Sequence, residues 1–156
     1  MQKRFSLVLC LLFALPVVGS ADDKILQFDT MVGVVRPFTG STNPIRGVNG
    51  GGQPWAVARA TGELRVDGRL EIEVEGLVLV STGLNPAAAF RAIVSCLTTA
   101  DGTTVTTTNV TTAQFPATPT GDSVIEAVVT LPSPCIAPIV FVTNAAGTSW
   151  FAATGF

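Results

Sequence analysis

The sequence predicts an all-β fold, an antiparallel β-sandwich of immunoglobulin-like or jelly-roll character that contains one disulfide. Three observations predict it. The apolar stretches have the length of strands, and Gly, Pro, Asn and Asp turn signals separate them. No stretch repeats its apolar residues every 3.6 positions, as an amphipathic helix would. Short strands, frequent turns and one available cystine are typical of sandwich domains.

The N-terminal segment predicts export. Lys3 and Arg4 precede an apolar run over residues 5–18, and Gly19, Ser20 and Ala21 supply the small residues that signal peptidase prefers. The run is shorter than a membrane-spanning helix requires. We therefore expect residues 1–21 to be a signal peptide and residues 22–156 to form a single domain that is secreted, periplasmic or attached to the cell surface.

The charge balance limits the partners of the mature chain. Eleven acidic residues stand against nine basic ones, and two of the basic residues belong to the predicted signal peptide. This acidic balance argues against nucleic acid and anionic membrane surfaces as partners. The mature sequence has no apolar run that could insert into a bilayer. An extracellular glycan or protein is the partner class that remains.

Cys96 and Cys135 are the cysteines that remain after signal-peptide cleavage. An exported chain meets an oxidising compartment, so we expect these two residues to form a disulfide. In the chain-entropy model, closing this loop stabilises the fold by about 4 kcal/mol. The alternative is a pair of buried free thiols.

Residues 55–80 predict a long β-hairpin. Apolar residues occupy the even positions on both sides of a "DG" turn signal. Both apolar rows can face the core if Val66 lies opposite Leu70, because directly opposed residues share a face. This pairing predicts a three-residue loop, 67–69, or an equivalent bulge.

The same alternation predicts further strands. Between residues 98 and 120 threonine dominates, which indicates an exposed edge strand followed by a polar loop. Asn109 begins an "NVT" pattern, an N-glycosylation acceptor if the host is eukaryotic. The remaining strands are predicted at 25–35, 88–98, 104–111, 124–131, 138–144 and 149–153.

The residue types that are missing exclude several chemistries. The chain has no histidine and no tyrosine, which excludes Ser/His/Asp and Cys/His catalysis and imidazole-bound metals. Pairing of the two cysteines removes thiol chemistry. No "DxDxDG" calcium loop is present. We therefore expect no metal and no cofactor.

Carboxylates remain for acid–base chemistry. Glu71, Glu73 and Glu75 alternate along one predicted strand, and alternate residues of a strand lie roughly 7 Å apart, within the range of glycosidase carboxylates. A carboxylate-dependent hydrolase that uses these residues is one functional hypothesis. The competing interpretation is a solvated sheet face, since glycosidase carboxylates usually come from different elements around a cleft.

The stretch "NPIRGVNGGGQPW" contains the candidate ligand site. Its glycines lack the "GK[ST]" sequence and the following helix of a phosphate-binding loop. Arg46, Asn49, Gln53, Trp55 and Arg59 could together bind a glycan or a peptide, with the indole ring stacked on a sugar or an arginine. The alternative is that Trp55 forms a lid over the core.

The segments "GVNGGGQPW", "FRAIVSCL" and "PCIAPIVFV" resemble small secreted microbial proteins that have no assigned activity. The resemblance covers most of the mature chain and implies a secreted β-domain with one cystine. No functional residue can be transferred from it.

The leading hypothesis is a secreted, non-enzymatic binding or cell-surface module that contacts its partner near Trp55. The hydrolase is the first alternative. The second is a structural envelope or matrix protein that assembles through its threonine-rich edge.

Overall fold

The computed structural model describes residues 23–154, so the predicted signal peptide, residues 1–21, lies outside the described part of the chain. None of the described residues forms a helix that could cross a membrane. The strands are β1 (Lys24–Phe28), β2 (Val32–Gly33), β3 (Asn49–Gly50), β4 (Trp55–Ala56), β5 (Arg59–Arg65), β6 (Arg69–Glu75), β7 (Val78–Leu79), β8 (Ala89–Thr99), β9 (Val105–Thr111), β10 (Phe115–Pro116), β11 (Ser123–Val128), β12 (Ile136–Asn144) and β13 (Ser149–Ala153).

The strands form two main sheets. The first sheet has the order β1-β5-β6-β11, and all of its pairs are antiparallel. The second sheet has the order β10-β8-β12-β13-β2, with β9 also paired to β8 and β3 to β13. The short β3–β13 pair is parallel, which departs from the purely antiparallel prediction. A β4–β7 pair continues the β5–β6 hairpin beyond the first sheet.

The core lies between the two sheets. In β6 the buried Leu70, Ile72 and Val74 alternate with exposed glutamates, as expected for a strand with one face on the core. These side chains belong to the same hydrophobic cluster as Phe90 of β8 and Val140 of β12. The predicted all-β sandwich with one disulfide is therefore confirmed.

The hairpin register differs from the prediction by two residues. Leu70 lies opposite Leu64, not opposite Val66. Gly68 adopts a φ of 85°, and its N–H donates to the carbonyl of Arg65 at 3.0 Å. This is a three-residue loop over 66–68 whose last position needs a left-handed residue. Val66 is consequently exposed in the turn, but a shift of two residues leaves the predicted core face of both strands unchanged.

The predicted disulfide is present between Cys96 of β8 and Cys135, the residue before β12, with Cα atoms 4.9 Å apart. The other predicted strands match observed strands to within a few residues, except that 25–35 contains two, β1 and β2. The threonine-rich strand β9 pairs with β8.

The second sheet is covered on both faces. Residues 92–96 of β8 are all buried, and so are the neighbouring Trp150 and Phe151 of β13, which point to opposite faces. Within the connection from β2 to β3, residues 35–48 lie against the face of the second sheet that carries Phe141 and Trp150, since Val35, Phe38 and Ile45 line one cavity with these two side chains. We call this segment the strap and that face the outer face.

Candidate functional site

Trp55, the centre of the predicted ligand site, lies in the core. Its side chain is 4% exposed, and its ring is stacked on Phe151 with centroids 3.8 Å apart and planes 14° apart. The backbone N–H of Trp55 donates to the carbonyl of Val34 at 2.9 Å. This is the geometry expected of a lid, and neither face of the indole is open for stacking on a sugar ring.

The glycines beside Trp55 allow close packing of the backbone. A Cβ on Gly51 would lie 3.1 Å from both Trp55 Nε1 and a ring carbon of Phe151, and a Cβ on Gly50 would clash with the carbonyl oxygen of Phe38. A Cβ on Gly52 would meet open space. Gly50 is therefore required by a close backbone contact, and Gly51 fits tightly between two aromatic rings, so both glycines have a structural use.

Three other predicted site residues make contacts with partners other than Trp55. Gln53 is exposed, and its Oε1 accepts a hydrogen bond from the Ser81 hydroxyl at 3.2 Å. The Arg59 guanidinium lies 3.4 Å from a Glu75 carboxylate oxygen at the surface. Asn49 belongs to β3 and lies opposite Ser149.

Arg46 ties the strap to the second sheet. Its Nη1 donates to the Ser95 carbonyl at 2.9 Å and its Nη2 to the Ala137 carbonyl at 2.8 Å. Partial burial lowers the pKa of the guanidinium from its ordinary value, although an arginine remains charged at neutral pH. The Nδ2 of Asn109, the predicted glycosylation acceptor in β9, donates to the Arg46 carbonyl at 3.0 Å. The backbone and side chain of Arg46 are thus both engaged in structural hydrogen bonds.

The alternating glutamates lie on the open face of the first sheet. Glu71 and Glu73, but not Glu75, line a cavity of about 470 Å³ that is open to solvent. The predicted pairing of Val66 with Leu70 would also have placed Arg65 opposite Glu71. Instead, Glu71 lies directly opposite Glu63 on one side and Glu126 on the other. Like charges placed in this way repel one another.

Two cations offset this repulsion at Glu63. Lys24 Nζ and Arg65 Nη2 lie 2.7 Å and 2.6 Å from its carboxylate oxygens. These hydrogen bonds, that of Lys24 foremost, lower the pKa of Glu63. A glycosidase needs one carboxyl with a raised pKa as its general acid, so the shift at Glu63 has the wrong direction for that role. Within the described residues, no group of three or more acidic or cysteine side chains is arranged to hold a metal ion.

An apolar groove lies between the strap and the outer face of the second sheet. Its volume is about 290 Å³, near the lower end for small-molecule pockets. The strap side consists of Val35, Phe38 and Ile45. We call this cavity the strap groove.

The sheet side of the strap groove is also mainly apolar. It is formed by Ile139, Phe141, Trp150 and Ala153, together with Val32, Gly33 and Thr154. Phe141 and Trp150 are almost fully buried, and their ring centroids lie 6.0 Å apart. The floor of the groove is therefore well packed, whereas Val35 and Phe38 at the rim are 48% and 39% exposed.

The strap groove was not predicted from the sequence, although a signal existed. Trp150 and Phe151 are adjacent large apolar residues in one strand, where one of the two should be polar if its face met solvent. Such a pair indicates that both faces of the strand are covered.

Comparison with known proteins gave no match to a protein-family model, to a curated protein or to a solved structure.

Proposed function

We propose that this protein is an exported, non-catalytic binding module that holds a small, neutral, largely apolar molecule in the strap groove. The predicted signal peptide supports export. The Cys96–Cys135 disulfide is compatible with an oxidising compartment outside the cytosol.

The observation that carries the proposal is the lining of the strap groove. The described residues that line it include no charged side chain, and the hydroxyl of Thr154 already accepts a hydrogen bond from the Val140 N–H at 2.9 Å. A charged ligand would lose its hydration there without gaining a counter-ion, whereas an apolar ligand gains by leaving water.

The exposure of the side chains at the rim favours ligand binding over a purely structural role for these residues. Three apolar side chains around the concave floor are well exposed: Val32 by 46%, Val35 by 48% and Phe38 by 39%. Apolar side chains gathered around a concavity are typical of a binding site, whereas isolated exposed apolar residues are common on any surface.

Fluorescence titration with N-phenyl-1-naphthylamine, a neutral apolar dye, tests the proposal. We expect saturable binding of one dye per chain. Val35→Arg should weaken the affinity by at least roughly ten-fold, because it places a charge at the mouth of an apolar site.

Val105→Arg is the matched control. Val105 is also an exposed valine, but it lies in β9 and does not line the groove. This variant should bind the dye as the native chain does. The proposal is overturned if the native chain shows no saturable binding, or if both variants weaken binding equally while remaining folded.

A further inference from the structure

The threonine-rich strand β9 forms an open edge of the second sheet. Its seven residues, Val105–Thr111, pair with β8 on one side in an unbroken antiparallel register. Among residues 23–154, no strand pairs with the other side of β9, and no hydrogen bond joins its backbone to a loop. An open edge of this kind presents backbone groups that can pair with a further strand.

The free backbone groups of β9 belong to alternate residues. The Thr112 N–H donates to the Ala92 carbonyl at 3.0 Å, and these two residues continue the register of the β8–β9 pair. In an antiparallel ladder, residues that bond to the neighbouring strand alternate with residues whose groups point the other way. The residues whose N–H and C=O groups point away from β8 are therefore Val105, Thr107, Asn109 and Thr111.

Strand β9 lacks the features that protect the other open edges of this fold. Edge strands are commonly protected by a charge, a proline, a bulge or a very short length. Here β1 contains Lys24 and a register shift, β11 contains Glu126, β10 contains Pro116, and β2 has only two residues. In contrast, β9 contains no charged residue and no proline, and its register is continuous. It is therefore the edge best suited to accept another strand.

We infer that β9 pairs with the β9 strand of a second copy of this chain, in antiparallel orientation about a two-fold axis at Thr108. This register places Thr107 opposite the Asn109 of the second copy, and Val105 opposite its Thr111. Every outward N–H of the two strands then meets an outward C=O. The second sheets of the two copies become one continuous sheet.

The side chains of β9 favour a second copy as the partner. They are valine, threonine and asparagine only, so self-pairing brings no like charges together and places β-branched residues side by side. The equivalent self-pairing of β11 would place Glu126 opposite the Glu126 of the second copy, and like charges directly opposite are destabilising. No residue of β9 lines the strap groove, so this inference is independent of the proposed function.

Analytical ultracentrifugation of the mature chain over a concentration series tests the inference. One pair of short strands buries little surface, so we expect a weak dimer with a dissociation constant on the order of 10–100 μM. Thr107→Pro removes an outward N–H and leaves the hydrogen bonds to β8 in place. It should raise the dissociation constant by at least roughly ten-fold, because each copy loses one hydrogen bond to the other.

Val124→Pro is the matched control. Val124 is an exposed residue of the edge strand β11. Its N–H also points away from the neighbouring strand, because the Val129 N–H donates to the Gly68 carbonyl on the β6 side and the direction alternates along the strand. This variant should dimerise as the native chain does.

Amide hydrogen exchange of the native chain gives a readout that needs no variant. The Thr107 and Asn109 amides should exchange more slowly as the concentration rises, and the Val124 amide should not change. The inference is overturned if the native chain stays monomeric up to about 1 mM, or if a folded Thr107→Pro variant dimerises as tightly as the native chain. If Thr107→Pro does not fold, a dimer that leaves the β9 amides unprotected overturns it.

Discussion

Arg46 Nη1 donates a hydrogen bond to the carbonyl oxygen of Ser95 at 2.9 Å, across 49 residues of sequence. With the second bond to Ala137, this contact fixes the strap against the second sheet on the face that contains the strap groove. Ile45, the neighbour of Arg46, lines the groove directly. The position of one arginine therefore helps to set the shape of the candidate ligand site.

Arg46→Ala should destabilise the protein by about 1–2 kcal/mol, because it leaves two carbonyls without a charged donor at a partly exposed site. Arg59→Ala is the control. Arg59 makes an exposed ion pair at 3.4 Å, and its loss should cost at most about 0.5 kcal/mol. Urea unfolding measures both values. Equal costs would show that Arg46 is not a structural anchor.

Gly68→Ala should destabilise the protein by about 2–4 kcal/mol, because it combines a positive φ with a steric clash. The φ at Gly68 is 85°, and an added Cβ would collide with the carbonyl oxygen of Val129. Gly83→Ala shares the positive φ, 67°, but its Cβ would meet open space, so we expect a cost of about 1 kcal/mol. Thermal unfolding of both variants tests the hairpin loop, and similar costs would argue against the clash at Gly68.

Removal of the disulfide by Cys96→Ala combined with Cys135→Ala should lower the free energy of unfolding by about 4 kcal/mol in the chain-entropy model. The native chain with reductant should approach the stability of this double variant, and reductant should not affect the variant itself. Alkylation of the unfolded, unreduced native chain followed by mass spectrometry provides the independent check. Alkylation of both Cys96 and Cys135 in the unreduced chain would show that the disulfide is absent.

Acid should destabilise the fold through Asp122. Its carboxylate accepts hydrogen bonds from the Thr120 hydroxyl at 2.6 Å and the Gly76 N–H at 2.9 Å, which lower its pKa in the folded state. A group whose pKa falls on folding stabilises the protein above its unfolded pKa, and this contribution is lost as the pH falls through the folded pKa.

The free energy of unfolding should therefore decline below about pH 4, the ordinary range of an aspartate. Asp122→Asn should lower stability at neutral pH and make the acid decline shallower. Chemical unfolding across a pH series measures both effects. If the free energy of unfolding falls with pH as steeply in Asp122→Asn as in the native chain, Asp122 does not contribute to the acid sensitivity.

Much of the fold could be predicted because burial of one face imposes a two-residue period on the strands. Leu70, Ile72 and Val74 lie on the core face as that period predicts. The register was wrong because the loop conformation, and not the apolar pattern, fixes which residues are opposed. The left-handed Gly68 moves the loop one residue toward the N-terminus and places Val66 in the turn.

The strap groove could not be predicted by the same reasoning. The strap has no periodic pattern, and Arg46 meets carbonyls that are 49 and 91 residues away in sequence. Backbone carbonyls have no sequence signature, so an arginine that binds them cannot be distinguished by sequence from one that binds a ligand. Trp55 presented the same ambiguity, because the sequence does not indicate that its ring stacks on Phe151, 96 residues away.

Binding in the strap groove can be tested directly by NMR contacts between N-phenyl-1-naphthylamine and the valine and isoleucine methyl groups of the mature chain. We expect nuclear Overhauser effects from the aromatic protons of the dye to the methyl groups of Val35 and Ile45, which lie on the strap side of the groove. Contacts confined to Val124 and Val128, exposed valines on the open face of the first sheet, would contradict it.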